Sequence, residues 1–277
     1  MQKRDTDYLN KEAAAIRQGI VEAIGVDKKG HLGGSMSSAD IVAALYFYKM
    51  RHWPQEPENP ARDRFIFSKG HSVLAQYAAL ARCGYFAWES LPTVKQLGSF
   101  LQGHPEKDRT PGIEANTGSL GQGLSLGLGM VLGGRLDSLD YKVYVIVGDA
   151  ELAEGQIWEA ATAAAFYKAS NLVAIVDHNK LQASGVIKDM YDVGNPAEKF
   201  AAFGWRVLEI DGHNMDEILD ALDAADEPNE QPLAIVAHTV KGKGVSFAEG
   251  VPSFHNGAMD QGQYDSALQE IAERRGE

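Results

Sequence analysis

The segment from Val143 to Gln182 constrains the fold of this chain more than any other. It reads as a buried strand that ends at Gly148 and Asp149, then a helix, then a second buried strand that leads into Asn179. A strand, helix and strand in this order form a crossover between parallel neighbours, so both strands end at the same edge of the sheet. The pattern therefore predicts a parallel sheet in which Asp149 and Asn179 lie close together.

Strands and helices alternate along the rest of the chain. Further strand patterns occupy 65–71, 205–210 and 233–238, and helical patterns occupy 8–25, 71–84, 215–226 and 260–275. This alternation predicts an α/β fold with a mainly parallel sheet flanked by helices on both faces. The length of 277 residues is compatible with one large domain, and we expect a single domain over 1–277.

Two glycine-rich segments carry further predictions. Segment 28–38 predicts a loop, and Ser37 with Asp40 three positions later resembles a capping box that opens a helix toward Met50. Segment 117–136 contains seven glycines, which weaken an isolated helix but let neighbouring backbones approach closely. We therefore predict a tightly packed, buried helix there.

Composition argues against several classes of function. The formal net charge of −12 disfavours a nucleic-acid or anionic membrane surface. The longest apolar runs are too short to cross a bilayer, and the N-terminus is too polar for a signal peptide. Cys83 is the single cysteine, so no disulfide can form within the chain, which fits a reducing cytoplasm. Dinucleotide, P-loop, serine-hydrolase and zinc motifs are absent from the sequence.

Polar side chains follow the predicted strands where ligands bind in open parallel sheets. Asp149 and Asn179 follow the central pair, and His71 and His238 follow two other strands. Carboxylate and amide oxygens suit Mg²⁺, together with the oxygens of a bound diphosphate. The crossover therefore predicts a site for Mg²⁺ and a diphosphate, with a helix N-cap as the alternative role for Asp149.

Loop histidines are the second group of candidates. His31, His71 and His104 each follow a glycine, and His255 precedes an Asn-Gly pair. Glycine beside histidine lets both the backbone and the imidazole approach a ligand. Solvated loop positions are the alternative interpretation.

Two glutamates, Glu154 and Glu159, lie on the helix that follows Asp149. Exposed glutamates on a helix normally form a solvated face. A buried glutamate needs a partner, so either residue could instead serve a proton network or an interface.

Six motifs, taken in order, resemble the N-terminal, diphosphate-binding half of transketolases, which depend on thiamine diphosphate. The motifs are GHLGGSMSSAD, SKGH, GHPE, TGSLGQG, the long GDAELAEG…VDHNKLQ and KGKGVSFAEGVPSFHNG. The resemblance extends from about residue 8 to residue 258. It implies transfer of a two-carbon ketol unit from a ketose to an aldose acceptor, with sugar phosphates as substrates.

The resemblance also implies roles for individual residues. Those that it places at Mg²⁺ or Ca²⁺ are Asp149, Asn179 and, through its carbonyl, Leu181. Those that it places at thiamine diphosphate are His71, Gly118, Leu120, Gly148, Asp149, Ala150, Glu154, Asn179 and His255. Those that it places in catalysis are His31, His104 and His255, which line the substrate channel, and Glu154, in a carboxylate network between paired active sites. Ala150 departs from the family, which usually has glycine there, so its methyl group is expected to crowd the diphosphate.

A full-length transketolase also has a pyrimidine-binding domain and a C-terminal domain, for which no sequence after Asp260 provides the parts. We therefore expect a separate C-terminal subunit that carries the pyrimidine-binding domain, and an α2β2 heterotetramer. One alternative is a subunit of another thiamine diphosphate enzyme that catalyses a different reaction, such as the alpha subunit of a 2-oxoacid dehydrogenase or a deoxyxylulose-phosphate synthase fragment. Another is a binding or regulatory chain without catalytic activity.

Overall fold

The computed structural model describes residues 4–276. Its five-stranded sheet has the order β1-β2-β3-β5-β4, and each adjacent pair is parallel. The strands are β1 (Arg64–Phe67), β2 (Val143–Gly148), β3 (Leu172–His178), β4 (Arg206–Asp211) and β5 (Leu233–His238). The predicted parallel α/β fold is confirmed, and β2 and β3 pair through the crossover that the sequence indicates.

Ten α-helices, within the part of the chain that the structure describes, surround the sheet. They are α1 (Thr6–Ile24), α2 (Leu32–Ser37), α3 (Ala39–Ala44), α4 (Leu74–Cys83), α5 (Gln122–Leu136), α6 (Gly155–Phe166), α7 (Ile187–Met190), α8 (Pro196–Ala202), α9 (Met215–Asp223) and α10 (Gln261–Arg275). Among residues 4–276, no helix combines the length and the hydrophobicity needed to cross a bilayer.

Two hydrophobic cores lie on opposite faces of the sheet because side chains alternate along each strand. On β2, Tyr144 and Ile146 join the core that includes helices α1, α3, α4 and α9. Val145 and Val147 join the core that includes α5, α6 and α8. All six residues of β2 are buried, which explains why this strand reads as a continuous apolar run rather than an alternating one.

The predicted loop over 28–38 is correct only for residues 28–31, and the capping box at Ser37 is wrong. Residues 32–37 form α2, and Ser37 is the last residue of that helix rather than the cap of the next one. Its hydroxyl donates to the backbone oxygen of Gly34 at 3.1 Å and to Asp177 at 2.7 Å. A carboxylate from another strand, distant in sequence, therefore takes the hydroxyl that local capping would have used.

The prediction of a buried helix over 117–136 is correct for one face of α5. A Cβ atom at Gly123 would lie 2.4 Å from the Ser68 hydroxyl, so only glycine allows this approach to β1. On the opposite face, a Cβ atom at Gly129 would meet nothing within 4 Å in residues 4–276 apart from its chain neighbours and the backbone of its own helix, and Leu126 is exposed. Tight packing therefore explains only some of these glycines.

A fully buried carboxylate, Asp177, joins several elements at the C-terminal edge of the sheet. It lies in β3 and accepts hydrogen bonds from Ser37 in α2 and from Asn179 at 3.0 Å. It also accepts from the Lys69 ammonium, which follows β1, and from the Thr239 hydroxyl, which follows β5. Burial alone would raise the pKa of Asp177, but the Lys69 ammonium and the hydrogen bonds hold it below its usual value.

Replacing Asp177→Asn should destabilise the fold strongly. The substitution removes the charge that compensates the Lys69 ammonium, which is only 3% exposed. Breaking a buried ion pair on one side costs about 3–5 kcal/mol of unfolding free energy. Urea denaturation measures the loss. Adding Lys69→Met should recover part of it, because no uncompensated charge then remains buried.

Asp108→Asn, at an exposed loop carboxylate, is the matched control and should leave the denaturation midpoint unchanged. An unaltered midpoint in Asp177→Asn itself would contradict a structural role for the pair.

Candidate active site

A cavity of about 470 Å³ opens at the C-terminal edge of the sheet. All the residues that the sequence assigned to the cofactor, the metal and catalysis line it, namely His31, His71, His104, Gly118, Leu120, Gly148, Asp149, Ala150, Glu154, Asn179, Leu181 and His255. Two weaker candidates, His238 and Glu159, do not line this cavity. Nε2 of His238 instead lies 3.0 Å from Oε2 of Glu209 on β4.

Asp149 lies directly after β2 and is 4% exposed. Its carboxylate accepts a hydrogen bond from the backbone N–H of Ala150 at 2.8 Å and another from the backbone N–H of Lys180. Burial and the nearby charge of Asp177 raise the pKa of Asp149 to about 7. A carboxylate in this position is therefore short of positive charge, which a bound cation would supply.

Asn179 and Leu181 bring two further oxygen atoms to the same edge. The Asn179 amide donates to Asp177, and its oxygen accepts from the backbone N–H of Leu181 at 3.1 Å. The Leu181 carbonyl accepts a hydrogen bond from the Lys241 ammonium at 2.8 Å. This carbonyl is thus already directed at a positive group.

These donors fit a hard divalent cation. The carboxylate of Asp149, the amide of Asn179 and the carbonyl of Leu181 all border the cavity and all offer oxygen. In residues 4–276 no cluster of three or more histidine, cysteine, aspartate or glutamate side chains is suited to a metal. A metal site here would therefore use amide and carbonyl oxygens as well as the carboxylate, which favours Mg²⁺ or Ca²⁺ over zinc.

The backbone around Asp149 differs from what a diphosphate contact requires. The N–H groups of Gly148, Asp149 and Ala150 donate to Glu151, to the Asp177 carbonyl and to the Asp149 carboxylate, respectively. All three are therefore already hydrogen-bonded within the protein, and the diphosphate contact there stays a prediction. Ala150 begins a 3-10 turn, a right-handed conformation that an alanine methyl group tolerates.

Four histidines in the lining of the same cavity form a cluster. The ring centre of His31 lies 5.0 Å from that of His71, 5.4 Å from that of His255 and 6.4 Å from that of His104. The rings of His71 and His255 are also 5.0 Å apart. Three separate loops and the turn after β1 supply these rings, so their proximity is a product of the tertiary fold.

The histidines are neutral near pH 7. Burial lowers the pKa of His31 and His255 to about 4 and that of His71 to about 2, and nearby positive groups add to the effect. Burial and the charge of Lys95 also lower the pKa of His104. A neutral imidazole can donate one hydrogen bond and accept another, which suits recognition of hydroxyl groups. The Nδ1 atom of His255 is buried without a partner in residues 4–276, so a ligand could use it.

Sequence reasoning missed two charged residues that line the cavity, Lys69 and Glu151. Lys69 is paired with Asp177, and Glu151 accepts from Ser68 and from the backbone N–H of Gly121 at 2.7 Å. A charged residue at or just beyond the end of an apolar strand needs a buried partner, and that signal was available at both Lys69 and Asp177.

Lys241 is the missed residue with the clearest bearing on a ligand. It is 3% exposed, and burial and the charge of Lys69 lower its pKa to about 8. It lies beside the oxygen donors of the candidate metal site and lines the same cavity. A diphosphate bound here would supply the negative charge that the Lys241 ammonium, unlike the paired Lys69, lacks.

Comparison with known proteins identifies the family. Residues 9–272 match the family model described as the transketolase thiamine diphosphate binding domain. The chain belongs to the transketolase family. The predicted resemblance is confirmed, as is the expectation of a transketolase-type enzyme subunit that uses thiamine diphosphate.

Two bacterial relatives match along nearly their whole length. The apulose-4-phosphate transketolase subunit of Phocaeicola vulgatus is 44% identical, over 97% of this chain and 95% of the relative. The 6-deoxy-6-sulfo-D-fructose transketolase subunit SqwG of Clostridium sp. is 43% identical, over 95% of this chain and 96% of the relative. Human transketolase is 37% identical, over 95% of this chain and 42% of the length of the human protein.

Solved structures agree with this assignment. Transketolase from Campylobacter jejuni superposes with a TM-score of 0.87 and 30% identity, over 96% of this chain and 43% of that protein. The chain therefore corresponds to less than half of a full-length transketolase and to almost all of the two bacterial relatives.

Acid should destabilise the chain through the buried histidines. Their folded pKa lies below the ordinary value of 6.5, so the unfolded state binds more protons as the pH falls below 6.5. The free energy of unfolding should therefore decrease from pH 6.5 toward pH 4. We expect His71→Asn to reduce the slope of the unfolding free energy against pH. The reduction should be up to about 1.4 kcal/mol per pH unit between about pH 6 and pH 5.

Urea denaturation at a series of pH values measures this slope. Asn10→Gln, at an exposed amide of α1 that does not titrate and lies outside the cavity, is the control and should keep the wild-type slope. Equal slopes for wild type and His71→Asn would show that the His71 imidazole is not held neutral.

Proposed function

We propose that this chain is the N-terminal, diphosphate-binding subunit of a two-chain transketolase, with residues 1–277 as one domain. It would transfer a two-carbon ketol unit from a ketose to an aldose, with thiamine diphosphate and Mg²⁺ bound between it and a C-terminal subunit. The observation that carries this proposal is that one cavity is lined both by oxygen donors suited to a cation and by four neutral histidines.

Each group of residues has its own part in the reaction. Asp149, Asn179 and the Leu181 carbonyl would hold the metal, and Lys241 would neutralise charge on the diphosphate. When bound, thiamine diphosphate supplies the carbanion chemistry that breaks and forms carbon–carbon bonds. The chain's own contribution is to orient that group and to exclude water around it.

The histidines would act on the substrate. His31, His104 and His255 border the open part of the cavity as neutral rings, so each can donate to one sugar oxygen and accept from another. Their lowered pKa values favour rapid return of a proton once it has been taken up. His71, more deeply buried, would contact the diphosphate rather than the sugar.

The substrates are expected to be sugars that carry an anionic group. The two bacterial relatives are named for apulose-4-phosphate and for 6-deoxy-6-sulfo-D-fructose, which differ in the anion and in the sugar. Both relatives are similarly identical to this chain, so we propose a phosphorylated or sulfonated ketose as donor without choosing between them.

A partner subunit would complete the site. The bacterial relatives of matching length are named as subunits, and the equivalent region of human transketolase is 42% of a longer chain. The outer face of α5 and α6 carries exposed apolar side chains that a second copy could cover, namely Leu126, Leu136, Phe166 and Tyr167. Glu154, exposed at the start of α6, would then face the paired active site. We propose an α2β2 heterotetramer in the cytoplasm.

Decarboxylation of a 2-oxoacid is the second candidate for the same cofactor. The three neutral histidines, His31, His104 and His255, can form hydrogen bonds with hydroxyl groups, which favours a polyhydroxylated substrate over pyruvate. A substrate screen of the assembled enzyme separates the two reactions, because decarboxylation of pyruvate without ketol transfer would exclude transketolase activity.

Asp149→Ala should abolish Mg²⁺-dependent cofactor binding. The substitution removes the one carboxylate among the three oxygen donors, so we expect the affinity for thiamine diphosphate with Mg²⁺ to fall roughly 100-fold or more. Isothermal titration of the reconstituted two-chain complex, with and without Mg²⁺, measures the effect. Asp189→Asn, at an exposed carboxylate outside the cavity, should behave like the wild type. The same Mg²⁺-dependent affinity in Asp149→Ala would overturn the metal assignment.

Activity should require both subunits. We expect the purified chain alone to show no ketol transfer, since the proposed partner contributes the other side of the cofactor site. Mixing with the C-terminal subunit should restore activity in proportion to complex formed, which size-exclusion chromatography can follow. Full ketol transfer by the purified chain alone would contradict the division of the site between two chains.

A further inference from the structure

A buried ion pair outside the cofactor cavity has no part in the proposed reaction. Arg17 in α1 and Asp40 in α3 are each 6% exposed, and two guanidinium nitrogens donate to the carboxylate at 2.9 and 2.6 Å. Burial alone would raise the pKa of Asp40, but Arg17 and His213 hold it well below its usual range. Neither member of the pair lines the cofactor cavity. A buried ion pair often contributes little net stability, so its geometry calls for another explanation.

His213 connects this pair to the segment that follows β5. It lies between β4 and α9, and its Nδ1 is 2.7 Å from the Asp40 carboxylate. Its Nε2 is 2.8 Å from the backbone nitrogen of Val240. A backbone N–H can only donate, so Nε2 is the acceptor and the ring proton is on Nδ1, which donates to Asp40. The carboxylate thereby fixes the tautomer in which Nε2 accepts.

The other end of the same network holds the same segment. Nε of Arg17 donates to the Lys243 carbonyl at 2.9 Å. The Lys243 N–H donates to the Val240 carbonyl at 3.1 Å, which closes a turn of four residues over 240–243. The network therefore contacts both the first and the last residue of one turn. We name its three connected residues, Arg17, Asp40 and His213, the turn clamp.

Lys241 is the second residue of this turn. Gly242, the third, has a φ of 83°, the left-handed conformation that a type II turn requires at this position. Its N–H donates to the Gly33 carbonyl at 3.0 Å. The Lys241 ammonium donates to the Leu181 carbonyl at 2.8 Å, so its side chain extends from a turn held at both ends to the candidate metal site. A shift of the turn would therefore move an ammonium group that lines the cofactor cavity.

We propose that the turn clamp positions Lys241 for the bound diphosphate, and that His213 is the positioning residue through which the clamp acts on Val240. His213 does not line the cofactor cavity and acts only through the turn. The inference rests on the proposed function, in which Lys241 neutralises charge on the diphosphate. It extends the cofactor site to three residues that contact neither the cofactor nor the metal.

Exposure at Val240 separates this role from a purely structural one. Val240 is 36% exposed, so water can replace the imidazole as the acceptor of its N–H at little cost in unfolding free energy. Asp40 keeps both hydrogen bonds from Arg17 when His213 is changed. A water molecule does not, however, hold the turn at a fixed distance from Asp40. Loss of the imidazole should therefore affect the position of the turn more than the stability of the fold.

Two substitutions at position 213 distinguish the two ring nitrogens. The amide of asparagine reaches the position of Nδ1, so His213→Asn keeps a donor for Asp40 but loses the acceptor for Val240. The longer glutamine reaches the position of Nε2, so His213→Gln keeps that acceptor. Amide hydrogen exchange in the reconstituted two-chain complex measures the result. Exchange of the Val240 N–H should be about tenfold faster in His213→Asn and within about threefold of the wild type in His213→Gln.

The affinity of the same complex for thiamine diphosphate with Mg²⁺ is the second readout. His213→Asn should raise the dissociation constant about tenfold, equal to about 1.4 kcal/mol, and His213→Gln should stay within about threefold of the wild type. His52→Asn is the matched control, because Nε2 of this half-buried histidine outside the cavity lies 2.7 Å from the Tyr46 carbonyl oxygen. It removes a histidine contact of the same kind away from the turn and should bind the cofactor as the wild type does.

A double-mutant cycle shows whether His213 acts through Lys241. Lys241→Gln removes the ammonium that the turn carries, so adding His213→Asn should raise the dissociation constant by less than about twofold more. Independent effects of the two substitutions would overturn the proposal, as would unchanged affinity in His213→Asn. Equal losses in the asparagine and glutamine variants would also overturn it, because the acceptor for Val240 would then make no difference.

The activity of the wild-type complex distinguishes this proposal from the proposed function. Ketol transfer by the wild type, together with unchanged cofactor affinity in His213→Asn, would refute the role of His213 and leave the proposed function standing. Cofactor binding that His213→Asn weakens and His213→Gln preserves, in a complex that transfers no ketol unit, would refute the proposed function and leave the turn clamp standing.

Discussion

The buried pair of Lys69 and Asp177 determines how the catalytic edge of this sheet is organised. Asp177 receives hydrogen bonds from α2 and from the residues that follow β1, β3 and β5, so one carboxylate connects elements that are far apart in sequence. Such a charge is costly to bury unless every lone pair has a donor, and here the donors are present. Positions on four separate segments are thereby fixed relative to one another.

The chemistry of the site follows from this arrangement of charges. Two buried ammonium groups lie near a carboxylate whose pKa is raised to about 7, and the neighbouring histidines are kept neutral. Lys69 is paired with Asp177, but within residues 4–276 neither the Lys241 ammonium nor the Asp149 carboxylate has an ion-pair partner. A magnesium ion and a diphosphate, bound together, would complement both, because the metal favours the carboxylate and the phosphates favour the lysines. The histidines, being neutral, remain available for sugar hydroxyls.

The residues at the site differ in how far the sequence could predict them. Asp149 and Asn179 could be placed because a crossover has a fixed geometry, and the structure brings both to one cavity. The histidines were identified through their motifs, since periodicity gives no reason for loops at 31, 104 and 255 to meet. Lys69, Lys241 and Glu151 were missed because their roles depend on partners from distant segments. The same reason explains the error at Ser37, where a distant carboxylate replaced the expected local cap.

The sequence by itself determined the fold class, the parallel pairing of β2 with β3 and the family, because these follow from local patterns of hydrophobicity and from ordered motifs. Only the tertiary structure decided which charges are paired, which imidazoles are neutral and which backbone N–H groups at the site are already hydrogen-bonded within the protein. These properties depend on burial and on distances of a few ångströms between segments that are far apart in the sequence, as His31 and His255 are, and such distances are set by packing of the whole domain.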